Sequence, residues 1–242
     1  MAKNFFLIWL AGIPGILTIS WLVLPSMLEG RALAASPAIV SIASAAQSAL
    51  LLALASWAGV KLAPQVGLHA PVFEAASLGQ FDAAILRAQL LPGMAGGILG
   101  AVVLVAFTRF APEQLAQLQE RFVLPIAARV LYGGITEEIL VRWGLMTVLV
   151  WIFWRLFDGG TGLPSATSVW VPVVLSALAF GALHLPVVVA MLGSPTVGLA
   201  SYIVLANAAF GVVAGYLYWR HGLEAAILAH IVAHLGAAPF TR

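Results

Sequence analysis

Glu137, Glu138 and Arg142 stand in GGITEEILVRWGLMTVLVWIFW, residues 133–154, a run that is otherwise almost wholly apolar. A charged side chain at the centre of a membrane helix costs roughly 2.5–3.5 kcal/mol, so three in one span must face a protein interior and partner one another. Glu138 and Arg142 are four residues apart with the acid on the N-terminal side, the favourable order for an ion pair on one helix face. Glu137 lies about 100° away round the same helix and is left for another task. Three histidines stand in later apolar runs. His184 lies in LSALAFGALHLPVVVAM; His230 and His234 lie in AAILAHIVAHLGA, four apart on one face. A carboxylate and several imidazoles in a dry cavity either activate water directly or bind a metal ion that does so. Amide hydrolysis without a nucleophilic side chain needs one group to take a proton from water, and others to stabilise the oxyanion and protonate the leaving amine. Glu137 with His184 suits the first task, and His230 with His234 the second.

These residues need elements to hold them, and composition says which. Of 242 residues, 62% are hydrophobic and only 8% charged, with mean hydropathy +1.06. A bilayer core takes about 20 apolar residues per helix. Apolar segments fall near 5–25, 38–60, 91–110, 122–157, 169–191, 197–219 and 223–237. The chain therefore reads as an all-α polytopic membrane bundle of seven to eight helices. The count turns on 122–157, which is either one tilted helix or two broken near Gly133-Gly134. Between the second and third spans the sequence predicts a loop followed by an interfacial helix, and APEQLAQLQER at 111–121 predicts a helix continued beyond the bilayer. Gly93, Gly96, Gly97 and Gly100 predict close helix packing. Asn207 predicts an interhelical hydrogen bond, Glu224 a helix-dipole partner, and Trp151, Trp154, Trp170 and Trp219 interfacial anchors. Arg129, two turns before Glu137, either lines a cavity or snorkels to an interface.

Several chemistries are excluded. The net charge of +2 is scattered, which gives no nucleic-acid surface. There are no cysteines, hence no thiolate metal site or thiol nucleophile. No HExxH, GxSG or GxGD occurs, and the two aspartates, Asp82 and Asp158, lie in connectors.

Three motifs in order resemble the CPBP family of membrane endopeptidases, also called Abi or CAAX-protease-like: EExxxR as EEILVR at 137–142, FxxxH as FGALH at 180–184, and HxxxN as HIVAH at 230–234. Phe210, Gly211, Gly215 and Gly222 match the approach to the third motif. The resemblance covers about 122–237, dividing the chain into N-terminal membrane helices and connectors (1–121) and a catalytic core (122–242). It implies an intramembrane endopeptidase acting on a peptide or lipidated protein within membrane lipid, with prenylated CAAX proteins among the candidate substrates. The implied location is a cell membrane, of the bacterial inner type. It further implies that Glu137 and His184 activate water without a cofactor, with His230 and position 234 on the oxyanion side and Glu138 and Arg142 as a structural pair. Position 234 departs from the family, being His rather than Asn. That opens a zinc alternative with Glu137, His184, His230 and His234 as ligands. A proton- or metal-coupled transporter using the same residues is the alternative from another class.

Overall fold

The computed structural model describes residues 1–30, 35–80 and 82–240, and among these the chain is helical with no strand. Among the described residues seven spans are long and apolar enough to cross a membrane. Helices α1 (Ala2–Leu28) and α2 (Pro37–Leu62) form the first two, followed by the short α3 (Pro71–Leu78). The third is α4 (Ala83–Arg109); α5 (Glu113–Arg121) connects it to α6 (Ile126–Phe157). Helices α7 (Ala166–Ala182) and α8 (Leu185–Leu192) share the fifth span, and α9 (Val197–His221) and α10 (Leu223–Ala237) complete the bundle. Leucines and β-branched residues of the outer helices face outward, Leu50 by 63% and Val102 by 61%. Such faces suit lipid tails and not water.

The count settles at seven because α6 is a single helix of 32 residues, not two broken at the glycine pair. Its backbone is π-wound, with i→i+5 hydrogen bonding, over Arg129–Glu137 and again over Ile139–Met146. The glycines mark a crossing and not a break: a Cβ on Gly134 would collide with Ile231 of α10. Helix α1 crosses the same segment at Gly12 and Gly15, where Thr136 donates its hydroxyl to the Gly12 carbonyl at 2.7 Å. Trp143, fully buried, donates to the Ser56 carbonyl of α2 at 3.3 Å. The N-terminal helices thus hold α6 from outside while α10 holds it from inside.

The glycine row of α4 packs as its spacing predicts. Cβ atoms at Gly93 and Gly100 would come within 2.8 Å of Leu228 and 2.7 Å of Phe210, so α4 lies directly against α9 and α10. The connectors differ from expectation. The short α3 stands between the second and third spans, and the amphipathic stretch that follows it is the first turns of α4, capped by Asp82, whose carboxylate accepts from the Ala84 N–H at 2.7 Å. Residues 111–121 do not prolong α4, because Pro112 stands at the start of a new helix. Glu224 stands in the first turn of its own helix as expected, and it also reaches a second helix, accepting the Phe73 N–H at 2.8 Å in the first turn of α3. Asn207 donates within its own helix, to Ile203 O at 2.8 Å, and Trp154 is buried inside the bundle, not anchored at its edge.

Candidate active site

Helix α6 supplies Glu137, Glu138 and Arg142, the α7–α8 junction supplies His184, and α10 supplies His230 and His234. The two glutamates part company in depth. Glu138 and Arg142 are fully buried, and His230 nearly so; Glu137 and His184 are half-buried and line one cavity of about 440 Å³.

The buried set is a relay. Glu138 Oε2 stands 3.3 Å from Arg142 Nε, and its Oε1 accepts from His230 Nδ1 at 2.8 Å. The contact with Arg142 is within ion-pair reach but lacks the alignment of a directed hydrogen bond, and no protein acceptor among the described residues meets the guanidinium. It is the Phe180 ring that faces the guanidinium carbon, at 5.1 Å. Phe180 also packs edge-on against His184, at 4.8 Å, and His230, at 6.1 Å. This explains the aromatic residue of the second motif: one ring packs three of the polar groups.

Tautomers follow from acceptors. A carbonyl only accepts, so the 2.8 Å contact between His184 Nδ1 and Phe180 O makes Nδ1 the donor and leaves Nε2 as the acceptor. A carboxylate likewise only accepts, so His230 donates from Nδ1 to Glu138. The His230 and His234 rings stack at 4.8 Å with planes 24° apart. Their Nε2 atoms both face Gly133: a Cβ there would lie 2.9 Å from His234 Nε2 and 3.7 Å from His230 Nε2. Gly133→Ala must displace the nearer imidazole, an inexpensive move for stability and a harmful one for alignment. We expect turnover to fall roughly tenfold with little change in melting, a split that parallel activity and unfolding measurements would show.

Near-parallel rings direct their Nε2 atoms side by side. Among the described residues no three His, Asp or Glu side chains are grouped as metal ligands.

Two further residues line the cavity where spacing alone did not place them. Tyr132 shares the wall with Glu137, five residues away, because π-winding turns residues five apart toward one face. Asn207 lines the same cavity, its amide held by the Ile203 carbonyl. The apolar motif spacing carried no signal for either.

Residues 119–236 match the family model described as Rce1-like, type II CAAX prenyl endopeptidase. No curated protein and no solved structure matches the chain.

Proposed function

We propose that this chain, which carries an Rce1-like CAAX endopeptidase domain over residues 119–236, cleaves prenylated CAAX-type substrates within the membrane by water activated at Glu137 and His184. The observation that carries the reading is their convergence, from separate helices, on one largely apolar cavity of about 440 Å³. That volume falls in the range of small-molecule sites and suits a lipid-modified cysteine beside the scissile bond.

In this mechanism Glu137 accepts a proton from water, whose oxygen attacks the scissile carbonyl. His184 Nε2, left as an acceptor by its bond to Phe180, holds the water's second hydrogen. The oxyanion forms on the side of His230 and His234. Because His230 already donates from Nδ1, a donor at Nε2 means the imidazolium, whose charge Glu138 faces directly. The proton on Glu137 then passes to the departing amine, so the tripeptide leaves neutralised at its new N-terminus and the carboxylate is restored.

One feature supports metal-free chemistry: among the described residues no three His, Asp or Glu side chains are grouped as metal ligands. The test is cleavage of a farnesylated CAAX peptide by detergent-purified protein, with and without chelator, beside elemental analysis. We expect release of the C-terminal tripeptide, indifferent to chelator, from protein with far less than one metal per chain. Stoichiometric zinc and chelator-sensitive cleavage would establish the zinc alternative. Failure to cleave any prenylated CAAX peptide would overturn the substrate assignment.

A further inference from the structure

We propose that Asn207 accepts the N–H of the scissile amide and so holds the leaving nitrogen in line for its proton. The inference rests on the endopeptidase reading above and adds a third substrate-facing group to its cavity.

The substrate poses the problem. A peptide bond brought into an apolar cavity takes with it an N–H that water no longer meets, and a buried donor without an acceptor is costly. In the mechanism above the carbonyl oxygen and both hydrogens of the water have partners; the amide N–H has none. It must also be held to one side, because the nitrogen lone pair that forms as water attacks has to face the proton on Glu137.

Asn207 stands where such an acceptor is needed. It lines the same cavity as Glu137 and His184. Packing fixes its level. Cβ atoms on Gly211 and Gly215 of α9 would lie 3.5 Å from Arg142 Nη2 and 3.5 Å from Met146 Sδ, so α9 and α6 run side by side in one direction. Asn207, one turn before Gly211, therefore comes level with the glutamate pair, one turn before Arg142. Helix α7 meets α9 at the same depth: a Cβ on Gly181, three residues before His184, would collide with Val204, three residues before Asn207.

The side chain is also oriented. A carbonyl only accepts, so the 2.8 Å contact with Ile203 O identifies Nδ2 and leaves Oδ1 as the acceptor. Asn207 is half-buried, and among the described residues no donor meets Oδ1. Its one bond stays within a turn of α9, so the carboxamide ties no two helices together. The wall's other neutral polar groups, apart from His184, are hydroxyls, of which Thr108 and Tyr202 give their protons to the Leu104 and Phe107 carbonyls. A carboxamide oxygen matches a peptide N–H as the backbone's own carbonyls do. When the nitrogen takes its proton from Glu137 it becomes cationic, and its bond to Oδ1 strengthens. The contribution therefore falls mainly in the transition state.

Two farnesylated substrates of one sequence test this, one with the ordinary scissile amide and one with an ester oxygen in place of its N–H, each followed in single-turnover assays. In Asn207→Leu, which keeps the side chain's bulk, we expect the rate on the amide to fall about tenfold to a hundredfold, and the rate on the ester by about threefold at most. Asn207→Ala gives the same comparison should that variant fail to fold. An equal fall on both substrates overturns the proposal, since a general disturbance of the cavity acts on both. So does an amide rate left unchanged. A wild type that does not cleave the amide defeats the endopeptidase reading itself and this inference with it.

Discussion

Glu137→Gln is expected to lower kcat for a farnesylated CAAX peptide by about 10²–10⁴-fold, on the order of what positioned general bases contribute. The substitution keeps the side chain's shape and removes only its capacity to accept and return a proton. Glu137 makes no ion pair or hydrogen bond among the described contacts, and it is half-buried at the cavity wall. The bundle therefore loses little: melting in detergent should stay close to the wild type. KM should change much less than kcat, because a proton acceptor acts in the transition state and not in binding. Full activity in Glu137→Gln would move the base elsewhere, with His184 Nε2 the next acceptor on the same cavity wall.

The separation between Glu137 and Glu138 shows how far the sequence could be read. Two adjacent carboxylates in an apolar run had to point differently, and the order of Glu138 before Arg142 announced their pairing. What spacing could not show was the second partner of Glu138. His230 lies 92 positions later, and its Nδ1 contact depends on how α10 crosses α6. The crossing itself was half-visible: glycines at 133 and 134 indicated an unusual point in the helix, and only packing decides between a break and a close approach. Here Ile231 against Gly134 and Thr136 against Gly12 hold the segment continuous.

Winding was the larger omission. A 3.6-residue repeat sets Tyr132 and Glu137 on different faces; the i→i+5 winding of Arg129–Glu137 brings both to one cavity. No residue pattern in RVLYGGITE announces that winding. Helices α1 and α10 both pack against this segment, contacts that lie far from it in sequence. The connectors failed for a similar reason. The start of α4 and the short α3 are fixed by capping groups, Glu224 on the distant α10 among them, which local hydropathy does not register.

The buried relay predicts the largest effect on stability. Arg142→Met leaves the Glu138 carboxylate fully buried with only His230 for company, and breaking a buried pair from one side costs about 3–5 kcal/mol. Stability towards unfolding in detergent should fall accordingly, with activity lost alongside. The double variant Glu138→Gln with Arg142→Met separates the two consequences. Removing both charges removes the stranded carboxylate, so most of the stability should return, as it does when buried pairs are replaced by neutral groups of similar volume. Turnover should not return. His230 would keep a hydrogen-bond acceptor in the carbonyl of the substituted side-chain amide but lose the negative charge facing its imidazolium, and with it the electrostatic support of the oxyanion. A double variant that regained both stability and turnover would make the pair a structural lock alone, and would leave His230 to work without its carboxylate. Stability regained without turnover would join the pair to the chemistry through His230, which is why a lipid-buried helix keeps two charges that cost so much to place there.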